Sequence, residues 1–418
     1  MKRLTLEHHD NNDGWLKAGE LTFHRDQEVH FEYDLDYGTT HFGKKGSKSV
    51  SIRMPVNLHQ IYKGHPLAFI IDLIPQGPQL KKLLARHNIL RDDSYFEILS
   101  KAPLAPPGNL RIAEPWRDIE AERAQYQHEG FSIDEVLAKN LGFIEYMEDF
   151  GAPIGGTTGA GGGAPKFLLR QDFNDRYHAD GVLDDSQTKK AIMLKFPFTD
   201  SQNSLDLVRA EKAYYDVLKR MSFKTHKEIQ LKSNILFIER FDRIRNNGRL
   251  EYYGLESLYS ANDKSIHGSP LNHEDNLKLL SQYSTEAHQD ILEYFKRDLI
   301  NQALCNTDNH GRNTSLLKKD ESITLSPVYD VSPMLFFQEP ITELTKWNSK
   351  NKDLGSRCRW LSEELDIHET DVKESLRQLL DDCKDLERHL KSSGVPQTFI
   401  SRGESAREAT IKSIKEVL

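Results

Sequence analysis

Cysteine is scarce in this chain of 418 residues: Cys305, Cys358 and Cys383 are odd in number, scattered, and form no C-x-x-C pair. That argues against a disulfide framework and a structural zinc site, and the three read as reduced thiols. Long apolar runs are lacking too. No stretch approaches the ~18 consecutive apolar residues that span a bilayer, and the opening MKRLTLEHHDNNDGW has no apolar leader core. The expectation is a soluble intracellular protein with no membrane partner. Nor is positive charge in excess: 56 basic residues face 64 acidic ones, a formal charge of -8. Such a chain is not built to coat nucleic acid, and the pairs Lys44-Lys45 and Lys81-Lys82 read as solvated surface. Internal repeats and low-complexity tails are absent from the sequence. What remains is length enough for two or three subdomains around separate cores.

Residues 1–115 read mainly as short strands, at 21–23, Val29–Tyr33 and 49–54, separated by turn clusters such as 43–46. A helix is predicted after Pro75-Gln76-Gly77-Pro78, where Leu80, Leu83 and Leu84 recur at helical spacing. The Pro-rich stretch 102–108 marks a junction. Residues 116–241 form a second segment: a helical beginning to about 150, a Gly-rich stretch, strands at 166–169, 191–196 and 235–241, and a helix over 205–221. Residues 242–418 form a third, mainly helical one, with Ile291, Phe295, Leu299 and Ala303 on one helix face and a strand pair at 314–317 and 323–328.

Seven glycines fall within 151–163, among them Gly159, Gly161, Gly162 and Gly163. Glycine leaves backbone N–H groups unobstructed, so such a loop can aim them at phosphate oxygens. It reads equally as a flexible linker, and no G-K-[ST] closes it as in a P-loop. Lys195 lies inside the apolar run 191–196, where an ammonium facing the interior needs an anion. The helix over 205–221 offers one, because Leu207, Glu211, Tyr214 or Tyr215 and Leu218 share a stripe. In protein kinases a strand lysine holds the ATP phosphates and a helix glutamate steadies it, and Lys195 with Glu211 has that chemistry. The competing reading puts Lys195 at an edge strand facing solvent.

The strongest local signal is Thr307-Asp308-Asn309-His310-Gly311-Arg312-Asn313, between a helix end and a strand start. Asp308 and Asn313 are spaced as in the kinase loop H-R-D-x-x-x-x-N, where the Asp takes the acceptor's hydroxyl proton and the Asn binds a metal. A hairpin then leads to Tyr329-Asp330-Val331, and Asn313 with Asp330 supplies the oxygen ligands that Mg²⁺ prefers. His310 has no second histidine at ligand spacing and reads as a loop-stabilising hydrogen-bond partner. Arg312 reads as a phosphate contact or an exposed turn residue. Glu239 and Phe241 end a strand that is either a hinge contacting adenine or a core strand with a polar end.

As a set these residues resemble the HipA family, bacterial serine/threonine protein kinases that act as toxins of type II toxin–antitoxin systems. The matching stretches are Ala18-Gly19-Glu20-Leu21, 49–55, 72–78, 192–197, 239–243, 307–313 and 327–331. The resemblance implies the α+β class: a two-lobed protein-kinase-like fold with an added N-terminal β subdomain and a helical C-terminal lobe. It implies ATP with Lys195 on its phosphates and Glu239 to Phe241 at the adenine hinge, Asp308 as catalytic base, and Asn313 and Asp330 on Mg²⁺. Family members phosphorylate aminoacyl-tRNA synthetases and stall translation. They are commonly neutralised by a HipB-like helix-turn-helix antitoxin, through which alone DNA is reached. The implied location is the bacterial cytoplasm.

One departure stands out. The family's loop often carries a serine that is autophosphorylated and then swings out of the ATP site, but the corresponding place here is Gly159. Thr157 and Thr158 are the nearest hydroxyls and the autophosphorylation candidates, the alternative being a kinase without this switch. Two rival functions stand beside the kinase: the same fold acting on a small molecule or moving AMP, and a non-catalytic regulatory partner of a DNA-binding antitoxin.

Overall fold

The structure is a computed structural model that describes residues 1–24, 27–75, 77–91, 94–101, 105–118, 129–138, 141–149, 153–154, 165–227, 229–266, 268–337 and 343–418. The chain divides into two compact units. One joins Met1–Phe196, Ile235–His267 and Leu317–Ser322; the other joins Pro197–Asn234, Gly268–Leu316 and Ile323–Leu418.

The first unit begins with β1 (Lys2–Asp10), β2 (Gly14–Phe23), β3 (Val29–Tyr33), β4 (Ile61–Gly64) and β5 (Leu110–Ile112), an antiparallel sheet in the order β4-β3-β2-β1-β5. Alternation sets its inner face: Val29, Phe31 and Tyr33 are buried while Glu32 is exposed. Gly19 lies opposite Tyr33, and a Cβ there would sit 2.3 Å from the Glu32 carbonyl oxygen. Only glycine permits that approach. The helix expected after Pro75 runs over Gly77–Arg86.

Residues 49–54, expected as a strand, form a turn closed by a single Ser51–Met54 bridge. The cause is a buried carboxylate: Glu256 accepts from Ser51 Oγ at 2.5 Å and from the Ile52 N–H at 2.9 Å. Lys318 Nζ, equally buried, donates to Glu256 and to the Ser49 carbonyl, both at 3.1 Å. The backbone groups that a strand would pair laterally are spent on this ion pair instead.

A second sheet follows, built from β6 (Pro153–Ile154), β7 (Lys166–Asp172), β8 (Tyr177–Ala179) and β9 (Thr188–Lys195). The next strand, β10 (Ile229–Lys232), belongs to the other unit, and β11 (Ile235–Glu239) returns to this one. Here the order is β11-β9-β7-β6, all antiparallel, with β8 also on β7. Phe143, Met147, Phe167, Leu169, Leu194 and Phe237 form its core, separate from that of the first sheet. The helicity expected over 116–150 is present at Ile133–Leu137, opened by a Ser132–Glu135 capping box, and at Leu141–Asp149. The hairpin β12 (Arg243–Asn246) and β13 (Arg249–Tyr252), and then β14 (Gly254–Ser257), complete the unit.

In the second unit lie α1 (Gln202–Arg220), β15 (Leu271–Asn272), α2 (His273–Tyr283) and α3 (Ala287–Ala303). The hairpin of β16 (Ser315–Lys319) and β17 (Ser322–Leu325) is divided, its residues 317–322 belonging to the first unit; β18 (Thr345–Lys346), parallel to β15, is again in the second. The chain ends in the helices Leu354–Leu365, Glu369–Lys384, Leu386–Ser392, Gln397–Arg402 and Glu404–Val417. Among the described residues no helix is long and apolar enough to cross a membrane.

Candidate active site

The loop after α3 is shaped by its own polar groups. Cys305 turns the chain with φ +57°, and the Asn306 N–H then donates to the Asn301 carbonyl at 2.9 Å. Asn313 closes the loop twice: its backbone N–H donates to the His310 carbonyl at 2.9 Å, and its Nδ2 to the Asp308 carbonyl at 2.7 Å. Asn309 buttresses the loop from outside. Its Oδ1 accepts from the Leu344 and Thr345 N–H groups at 3.1 and 3.2 Å, while Thr345 Oγ1 donates to the Asn309 carbonyl at 2.6 Å. Asp308 and His310 are thereby held in the interior, and Asn313 and Arg312 are half-buried. His310 is a hydrogen-bonding loop residue, as the sequence suggested: its Nδ1 accepts from the Arg312 N–H at 3.1 Å.

Asp330 lies beyond the hairpin, yet its segment is fastened to this loop. The Tyr329 hydroxyl donates to the Arg312 carbonyl at 2.6 Å and lies 2.7 Å from Ser315 Oγ. Asp330 itself adopts φ +59°, a left-handed conformation that aspartate, like asparagine, tolerates better than most residues.

In the first unit Lys195 ends β9 and is buried. The edge-strand reading is thus excluded, because β9 is flanked by β7 and β11. Directly opposite on β7 stands Lys166, also buried. Residues facing each other across an antiparallel ladder project from the same face, so two ammonium groups share one side of the sheet. The sequence reasoning did not single out Lys166; the signal was a lysine opening an apolar strand straight after the Gly-rich stretch. Glu239 closes β11 with an ion pair to Lys190 at 3.4 Å. Phe241 follows in a bend, half-buried, beyond the strand rather than within it. In the second unit Glu211 is buried on α1 beside Leu207, Tyr214 and Leu218, the stripe expected from the spacing. Gly159, Gly161, Gly162, Gly163, Thr157 and Thr158 lie outside the described residues.

The neighbours of Glu239 are structural. Arg240 and Arg243 are buried with Arg170 around Asp180, at 2.5 Å for Arg240 Nη1 and 2.7 Å for Arg170 Nε. Burial alone would raise the Asp180 carboxyl, but Arg243, Arg170 and Arg240 outweigh it and hold it below the usual range. Asp242 is ion-paired to Arg240 and accepts from the Gly108 N–H at 2.7 Å.

For a divalent cation the donors expected from the sequence are the amide oxygen of Asn313 and the carboxylate of Asp330. Among the described residues no group of three or more His, Cys, Asp or Glu side chains is arranged to hold a metal ion. Mg²⁺ rarely takes an all-protein cage and is usually held by one or two carboxylates together with substrate phosphates, so a carboxylate and an amide oxygen are donors of the type it takes.

An α+β fold whose catalytic-type loop leads through a hairpin to a second carboxylate defines a kinase-like protein. Models of protein families make the assignment specific: the HipA N-terminal domain matches residues 14–113 and the HipA-like C-terminal domain matches residues 158–389. This chain belongs to the HipA family. HipA of Shewanella oneidensis MR-1, solved with HipB and its operator DNA, shares the fold over 99% of both chains, with a TM-score of 0.66 at 14% identity. Toxin YjjJ of Escherichia coli K12 is 26% identical over 185 residues, which is 42% of this chain and 38% of that protein. The match to that toxin therefore spans well under half its length.

Proposed function

We propose that this chain is an ATP-dependent protein kinase, the toxin of a toxin–antitoxin pair, which moves the γ-phosphate of ATP to a serine or threonine hydroxyl. The observation that carries the reading is the loop: Asn313 Nδ2 is bound to the Asp308 carbonyl at 2.7 Å, and Tyr329, the neighbour of Asp330, donates to the Arg312 carbonyl of the same loop at 2.6 Å. Asp308 accepts the hydroxyl proton as that oxygen attacks the γ-phosphorus, and the bond from phosphorus to the bridging oxygen of ADP breaks. Lys195 and Lys166 suit the anionic phosphates. Asn313 and Asp330 would hold Mg²⁺, which would supply charge neutralisation on the phosphate oxygens. The acceptor class implied by the family is an aminoacyl-tRNA synthetase, with autophosphorylation at Thr157 or Thr158. The likeness to a HipA solved with HipB supports a HipB-like antitoxin as partner, DNA being reached through it, in a bacterial cytoplasm.

The test is incubation of the purified chain in bacterial extract with Mg-ATP labelled at the γ or the α position. Label from the γ position should enter protein, and Asp308→Asn or Asp330→Asn should cut transfer by at least ~100-fold with unchanged thermal unfolding. Transfer undiminished in either variant sinks the reading, and incorporation of α label replaces it with AMP transfer.

A further inference from the structure

We propose that His310 is a positioning residue for Asp308, holding one carboxylate oxygen with an Nε2–H donor so that the other is presented to the acceptor hydroxyl. The inference rests on Asp308 being the base. A backbone amide always carries its hydrogen, so the Arg312 N–H at 3.1 Å makes His310 Nδ1 an acceptor. The neutral ring must then carry its proton on Nε2. That nitrogen faces Asp308 Oδ1 at 3.5 Å, the two side chains being 2% and 3% exposed.

The direction of control follows from the anchors. His310 is fixed at Nδ1 by Arg312 and at its carbonyl by the Asn313 N–H at 2.9 Å, neither of which involves the Asp308 carboxylate. The ring is placed by the loop backbone, and the carboxylate adjusts to the ring. A separation of 3.5 Å is looser than a hydrogen bond, and contacts of this kind tighten when substrate binds. During transfer the hydroxyl proton passes to Asp308 Oδ2, and His310 keeps its own proton throughout. Oriented this way, the basic lone pair is aimed before the acceptor arrives.

The experiment uses the full chain with Mg-ATP and dephosphorylated casein, reading ADP release, alongside ¹⁵N-histidine spectra. His310→Leu should lower kcat by about 10- to 100-fold with KM for ATP and the thermal midpoint nearly unchanged. His310→Gln, which returns an N–H near the Nε2 position, should recover most of kcat. In an Asp308→Asn background His310→Leu should cost nothing more, since the two act as one unit. Equal damage from Leu and Gln, a matching loss in KM or thermal midpoint, or an additive double variant would overturn the proposal. So would a spectrum showing the proton on Nδ1, whatever the activity. If the wild-type chain neither releases ADP with casein nor moves γ label into extract protein, the kinase reading fails, and the shift of the Nε2 signal in Asp308→Ala then reports separately whether the ring touches the carboxylate.

Discussion

Burial changes what a single residue can do. His8 is enclosed in the first sheet, 2.8 Å from the Ser47 carbonyl and 2.8 Å from Asn109 Nδ2. Burial, with Lys48 adding to it, pushes its imidazole down to about 3. The unfolded chain takes up that proton near pH 6.5, so between pH 6.5 and about 3 the unfolded state binds more protons and stability falls as pH falls. This one group should cost roughly 2 kcal/mol between pH 7 and pH 5. Urea unfolding at the two pH values checks it: His8→Gln should flatten the fall seen in the wild type, and parallel losses in both proteins would remove His8 as the cause. The loop 307–313 shows the opposite case. Its residue types and spacing were legible in the sequence, but the tautomer of His310 and the twisted backbone of Asp330 needed the loop's hydrogen bonds.

Among the elements, the helices and most strands follow from pattern. The stripe of Leu207, Glu211, Tyr214 and Leu218 lies on one buried face of α1, and Ile291, Phe295, Leu299 and Ala303 are all buried on α3. The turn at 49–54 misled because Val50, Ile52 and Met54 alternate as a strand would, but Ser49 and Ser51 between them are buried as well. A strand with one wet face would have left those serines exposed. Ser49 Oγ donates to the Gly46 carbonyl, and Ser51 Oγ to Glu256, about which local pattern is silent. Removing its counter-ion should be severe: Lys318→Met leaves a buried carboxylate uncompensated and is expected to cost about 3–5 kcal/mol in urea unfolding. Adding Glu256→Gln should return part of that loss; a Lys318→Met protein as stable as wild type would show that the pair contributes nothing.

For the whole molecule the decisive fact is discontinuity. The first unit takes residues 1–196 but also needs 235–267 and 317–322. The later segments bring β11, Arg240 and Arg243 around Asp180, and the Glu256–Lys318 pair. A fragment ending at Phe196 therefore leaves Asp180 with only Arg170 of its three guanidinium partners and β9 without one neighbour. It should show no cooperative thermal transition by circular dichroism, whereas a sharp transition would mean that the first 196 residues fold alone. The same discontinuity explains why the run 239–243, one of the stretches that resemble the family, is mostly architectural: three of its five residues, Arg240, Asp242 and Arg243, sit in the buried charge network.

By itself the sequence determined the family, through stretches that resemble it, and with the family the α+β class. Spacing over a few residues marked the loop that carries Asp308 and Asn313 and the apolar stripe of Glu211, and left Lys195 between an inward and an edge position. Only tertiary structure decided that Lys166 stands beside Lys195, that 49–54 is a turn about a distant carboxylate, and how His310 faces Asp308. Local periodicity records which side of an element is dry. It does not record which far segment supplies the charge that makes a dry place tolerable, and that pairing is an energy of the folded chain alone.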